Sequence, residues 1–257
     1  MTVPRCGAVT LDETTNQETR CILRFGHDMG AAPVPHDNGG IQWSTPTGNR
    51  LYPLDAPRVG DWILTHAGVE FYPFDSRPSE IVIEDIAHAL ANTCRFTGHV
   101  KSFYSVAQHS VLVSCVVPPE HALWGLLHDA SEAYLADVAR PVKMHPTMDG
   151  YREAEKRIMA AVCERFDLPL VEPACVKDAD TRMMVTEARD LMPPNAVWAS
   201  YGVDPYENIH VSSWHPATAR DIFLARFESL TTGVDDAVVR ERVARLSAAG
   251  LAGMVGP

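Results

Sequence analysis

The sequence contains no uncharged apolar run approaching the roughly 18 residues that a membrane-spanning helix needs, so no such span is expected. Its opening residues, MTVPRCGAVTLDETTNQ, lack the apolar stretch of a secretory signal, and a cytoplasmic protein is the expectation. Positive charge is scarce as well: 22 Lys and Arg stand against 33 Asp and Glu, a formal net charge of −11. That balance repels extended phosphate backbones, and no basic stretch offsets it, so a polymeric nucleic acid is not an expected partner. Small anionic substrates are not excluded, because a few placed cations suffice for them. No internal repeat stands out. The six cysteines are scattered, and Cys94, Cys115, Cys163 and Cys175 sit in apolar or helical contexts that read as buried free thiols of a reducing compartment.

What is present is a globular composition. With 257 residues and 46% apolar content, the chain can bury a core in one large or two small domains without disulfides. Residues 1–50 are rich in Gly, Pro, Asn and Thr, show little helical or strand period, and read as a small separate module. Residues 51–231 form the main domain. It opens with two β-prone runs, WILTHAG and VEFYPF, that read as a hairpin across a Gly-containing turn. Apolar spacing then turns helical, predicting helices over Ile83 to Phe96, from Ser105 to before Pro118, and over Glu120 to Leu135. Further helices are predicted over Tyr151 to Phe166, Val176 to Met192 and Pro216 to Phe227. Ser105 and Gln108 have the spacing of a capping box. Residues 232–257 add a charged helix, Val234 to Leu246, and a flexible Gly-rich tail. The fold class is mainly α.

Charge in the wrong place marks the chemistry. His128, Asp129 and Glu132 follow directly on the apolar run Ala122 to Leu127, and helical spacing puts His128 and Glu132 on one face. His109 projects from a helix otherwise built of Val106, Val111, Leu112 and Val113, and Asp180 lies in VKDADTRMM. Burying unpaired charge costs several kcal/mol, and a divalent cation is an efficient partner. Two imidazoles and two carboxylates from three helices suit one Fe, Mn, Co, Ni or Zn ion. The alternative is a satisfied core histidine with acids that cap helices or face solvent.

The order His109, His128-Asp129, Asp180 resembles the H…HD…D signature of HD-domain phosphohydrolases, in which those four positions bind the metal. The segments RFTGHVKSFYSVAQHS, LLHDASEAYLADVARPVK and VKDADTRMMVTEARDLM are similar to those of YfbR-type bacterial 5′-deoxynucleotidases and phage DatZ-type dATP triphosphohydrolases. The likeness spans about residues 70–230 and is absent from the first 50. It implies an HD-domain helical bundle that hydrolyses the 5′-phosphoester of deoxynucleotides, releasing phosphate from a dNMP or triphosphate from a dNTP such as dATP. The resemblance also implies a homo-oligomer. Coordination lowers the pKa of a bound water and makes it a nucleophile towards phosphorus. The resemblance gives Glu132 and Asp137 the handling of that water and its proton, Arg95 and Lys143 the phosphate, and Phe96 the nucleoside. His99 and Tyr104 flank the pocket in this reading, or are structural. Other readings are a non-catalytic nucleotide-binding sensor and an HD phosphodiesterase acting on cyclic or linear nucleotides.

The N-terminal module carries Cys6, Cys21, His27 and His36, a C-x14-C-x5-H-x8-H arrangement. Two thiolates and two imidazoles suit tetrahedral structural zinc, which would stabilise a segment too polar for its own core. The spacing is not that of a standard finger, and an unmetallated loop is the alternative.

Overall fold

The computed structural model describes residues 9–12, 17–20, 57–233 and 236–252. The chain divides into two units, Met1–Trp62 and Ile63–Pro257. In the first, β1 (Val9–Asp12) pairs antiparallel with β2 (Gln17–Arg20), Val9 opposite Arg20 and Asp12 opposite Gln17. The sequence reading assigns no strand there: Gln17–Arg20 is wholly polar, and Val9–Asp12 alternates apolar and polar residues over only four positions. Cys6, Cys21, His27 and His36 lie outside the described residues, and the zinc reading with them; so does the tail beyond Ala252.

The second unit is mainly helical and opens with the expected hairpin, β3 (Ile63–Leu64) against β4 (Glu70–Phe71), Ile63 opposite Phe71. Its turn is closed by Thr65, whose carbonyl accepts from the Gly68 amide and whose hydroxyl accepts from the Val69 amide, each at 3.0 Å. Nine α-helices follow among the described residues: α1 (Ile83–Asn92), α2 (Val106–Val116), α3 (Ala122–Leu127), α4 (Glu132–Leu135), α5 (Arg140–Lys143), α6 (Asp149–Arg165), α7 (Ala174–Leu191), α8 (Pro216–Thr232) and α9 (Asp236–Ala252). No described helix is long and apolar enough to cross a membrane.

Helix α2 is the centre of the unit. It carries no charged residue besides its histidine, and every residue from Val106 to Ser114 is buried. A helix apolar all round belongs inside, and α1, α3, α7 and α8 all pack against it. Ser105 caps it as expected, accepting from the Gln108 amide at 3.1 Å. Gln108 does not complete the capping box with its side chain. It donates instead to the Ser212 carbonyl (2.6 Å) and accepts from the Trp214 amide (2.9 Å), fastening the chain before α8 to the central helix.

Two predicted helices are shorter than their apolar period suggests. The first ends at Asn92, because residues 93–95 leave it to pair with 104–106: Arg95 N donates to Tyr104 O (2.9 Å) and Val106 N to Thr93 O (3.0 Å). Cys94 is therefore in an extended segment and only half-buried. Cys115 and Cys175 are half-buried too, so of the four described cysteines, all free, Cys163 alone is fully buried as expected. The third predicted helix breaks after Leu127. From there the amides of Ala130, Glu132, Ala133 and Tyr134 donate to carbonyls three residues back, the tighter 3-10 pattern. Glu132 follows that turn as the first residue of α4.

At the other end, α9 is fastened to α8. Asp236 pairs with the fully buried Arg226 and accepts from Arg240 Nε (2.7 Å), while Val243 joins the core.

Candidate metal centre

Three helices converge at one point. The central helix α2 presents His109, the end of α3 presents His128 and then Asp129, and α7 presents Asp180. His109 Nε2 lies 3.1 Å from His128 Nε2 and 3.7 Å from Asp129 Oδ2, and His128 Nε2 lies 3.3 Å from the same oxygen. These three residues offer ligand atoms all within 4.8 Å of one another and could hold a metal ion. Asp180 Oδ1 approaches from the α7 side, 3.3 Å from His109 Nε2 and 3.9 Å from His128 Nε2.

The far atom of each imidazole decides which way its lone pair points. His109 Nδ1 faces Glu187 Oε1 at 2.5 Å, and His128 Nδ1 faces the Gly125 carbonyl at 2.8 Å. Both partners can only accept, so both Nδ1 atoms donate, and in the neutral imidazoles both Nε2 atoms face each other as acceptors. Two facing lone pairs flanked by carboxylates need a positive charge between them. Ligands about 2.1 Å from a common cation stand about 3.0–3.4 Å apart at 90–109° angles, close to the separations found. The mixed imidazole and carboxylate set fits a borderline divalent metal.

Without a cation, protons take its place. Burial opposes charge on His128, but Asp129 and Asp180 outweigh it and push its pKa up to about 9. His109 is also raised: burial and Arg95 oppose its charge, and Glu187 and Asp180 prevail. In return the imidazoles hold Asp129 and Asp180 well below the carboxylate range against the effect of burial. The site thus pairs two anionic carboxylates with two imidazoles, and a metal bound there would displace protons.

Behind the ligands lies Glu187, which the sequence reading missed. It is fully buried and accepts from Tyr104 Oη at 2.8 Å and Arg95 Nε at 3.1 Å as well as from His109. Burial would raise its pKa, but Arg95 and His109 lower it, so it is an anion. A signal was available: Glu187 lies seven residues after Asp180, two helical turns along the same face of α7, in an otherwise uncharged stretch of that face.

The predicted phosphate cations are both present at the site and both already paired. Arg95 is buried against Glu187, and its Nη1 stands 3.4 Å from Asp129 Oδ2, so one edge of the guanidinium faces the ligand cluster. Lys143, from α5, contacts Glu155 Oε1 at 2.6 Å and lies 3.8 Å from Glu132 Oε1. Glu132 is buried, and its Oε2 has no hydrogen-bond partner. Burial, Asp129 and Asp137 push its pKa well above the carboxylate range. Asp137 is half-buried just past α4 and is raised by burial and by Asp129, which together outweigh Arg95 and Lys143. One more cation, Lys177, contacts Asp180 Oδ2 at 2.7 Å.

Phe96 is half-buried beside Arg95, whose guanidinium lies 5.7 Å from the ring centroid. Its ring meets Trp198 edge-on at 6.0 Å, and Trp198 in turn stacks on the exposed Tyr201. Tyr104 serves Glu187 and is structural, while His99 is exposed at the end of the 3-10 turn Phe96–Gly98.

No protein-family model matches the chain. It is 41% identical over 172 residues to the uncharacterized protein YfdR of Escherichia coli (strain K12), an alignment covering 66% of this chain and 96% of that protein. The chain belongs to the YfdR family. An uncharacterized protein of Rhodobacter capsulatus is also 41% identical, over 130 residues that cover 46% of this chain and 66% of its own length. In this member of the YfdR family, residues from α2, the α3–α4 turn and α7 come together as a polar cluster inside an apolar bundle.

Proposed function

We propose that the chain is a metal-dependent phosphohydrolase of the HD type, acting on the 5′-phosphoester of deoxynucleotides. The observation that carries this reading is the facing of two imidazole Nε2 atoms 3.1 Å apart, flanked by Asp129 and Asp180, inside an apolar helical bundle. His109, His128, Asp129 and Asp180 are the ligands. A divalent cation bound there supplies Lewis acidity and lowers the pKa of a coordinated water. Arg95 turns the guanidinium edge that faces Asp129 to a phosphate oxygen, held in place by Glu187, and Lys143 leaves Glu155 to add a mobile charge. Glu132 and Asp137 hold or pass the proton released from the attacking water. Burial and the neighbouring carboxylates raise both pKa values, which favours uptake of that proton. Phe96 supplies an apolar face to the nucleoside.

The full-length protein, loaded with Mn²⁺ or Co²⁺, is incubated with a panel of dNMPs and dNTPs. Release of phosphate from the monophosphates or triphosphate from the triphosphates is expected. No product from any member of the panel overturns the reading.

A further inference from the structure

Glu187 is the point where three side chains of the site meet. One oxygen, Oε1, receives the Tyr104 hydroxyl at 2.8 Å and His109 Nδ1 at 2.5 Å, and the other, Oε2, receives Arg95 Nε at 3.1 Å. Arg95 and Tyr104 reach it together because their backbones are already joined, Arg95 N to Tyr104 O at 2.9 Å. Asp180 and Glu187 share a face of α7 about 10.5 Å apart along its axis, so one helix supplies both a ligand-bearing position and the group behind a second ligand. None of these hydrogen bonds is open to water, since Glu187, Tyr104 and His109 are all fully buried.

From this geometry we infer that Glu187 is a positioning residue that fixes His109 in the Nδ1-protonated tautomer and, through the same carboxylate, locks the Arg95 side chain beside Asp129. The inference rests on the metal-site reading above. A carboxylate is the only side chain of this shape that accepts on both sides. Glutamine keeps the shape and cannot do both tasks. If its oxygen faces His109 and Tyr104, its amide N–H₂ meets Arg95 Nε, donor against donor. If it turns over, His109 Nδ1 must accept, the proton moves to Nε2, and that proton points into the ligand cluster. Either way one of the two groups is released.

The test uses Glu187→Gln, His109→Ala and the double variant, with Mn²⁺ affinity measured by titration and the His109 tautomer read from imidazole ¹⁵N shifts. Loss of an outer partner of a metal-binding histidine commonly weakens affinity about 10–100-fold. A drop of that size is expected in Glu187→Gln, with a changed His109 ¹⁵N pattern and no further loss when the substitution is added to His109→Ala. Mn²⁺ affinity within about twofold of wild type, or a full additional loss in the double variant, overturns the inference. Should Glu187→Gln fail to fold, the wild-type metal-free protein at alkaline pH decides: a proton on Nδ1 is expected, and a proton on Nε2 overturns it. An inactive wild type that still binds Mn²⁺ and shows the Nδ1 tautomer refutes the proposed reaction while sustaining the role of Glu187.

Discussion

Gly125 links helix packing to the candidate metal centre, and replacing it tests that link. A Cβ built on Gly125 meets Val117 Cγ2 at 3.1 Å and the backbone Cα of Ser114 at 3.2 Å. Ordinary carbon contacts are about 3.5–4.0 Å, so Gly125→Ala forces α3 from α2 by about 0.3–0.5 Å. Val117 offers little relief, being buried and β-branched. Overpacking of this kind costs about 1–3 kcal/mol, offset by about 1 kcal/mol from the better helix former. The net loss of up to about 2 kcal/mol lowers Tm by a few degrees, at roughly 2–4 °C per kcal/mol for a domain of this size. The two helices also carry His109 and His128, and Gly125 O anchors His128 Nδ1. A shift of that size separates His128 from His109, so Mn²⁺ affinity is expected to fall. Thermal melts and Mn²⁺ titrations check both effects. A variant that melts above wild type and binds Mn²⁺ unchanged refutes the reasoning.

Three further outcomes are expected. Glu132→Gln should reduce turnover about 10²–10⁴-fold with Mn²⁺ affinity retained; undiminished turnover removes Glu132 from proton transfer. Ala136, just before Asp137, adopts φ 67° and ψ 159°, a region open essentially to glycine and costing other residues about 1–3 kcal/mol, so Ala136→Gly should leave Tm unchanged or raise it, and a clear drop counts against that strain. Asp190 accepts from Arg189 and from the Val211 amide, which hold its pKa below the ordinary carboxylate value despite burial. Its contribution, about 1–2 kcal/mol, is therefore present above the unfolded carboxylate pKa near 3.9 and is lost as pH falls through the lower folded value. Asp190→Asn should lower Tm at neutral pH and lessen the dependence of stability on pH in the acid range; an unchanged neutral Tm contradicts this.

How much of this was legible in the sequence varied with the range of the interaction that decides it. The start of α2 at Ser105 and its stop before Pro118 are local matters of capping and proline chemistry, and the structure has both. The helix over Ile83 to Phe96 ran on in the apolar period because nothing local stops it. Its end is set by pairing of residues 93–95 with 104–106, a contact invisible to periodicity. The break after Leu127 has the same character: no Pro follows it, yet the amides beyond it donate to carbonyls three residues back. Charged residues in apolar runs proved the better guide. His109, His128 and Asp129 stood out in this way, and the structure brings them within coordinating distance. Glu187 bore the same mark on α7 but went unnoticed, because its meaning depends on Arg95 and Tyr104 arriving from elsewhere.

The central claim is that residues around the His109, His128 and Asp129 cluster direct a water onto phosphorus. Turnover in H₂¹⁸O with Mn²⁺ and a deoxynucleotide, followed by mass spectrometry of both products, tests it most directly. The account predicts ¹⁸O in the phosphate or triphosphate and none in the deoxynucleoside. Label in the deoxynucleoside 5′ position, or no cleavage at all, would contradict it.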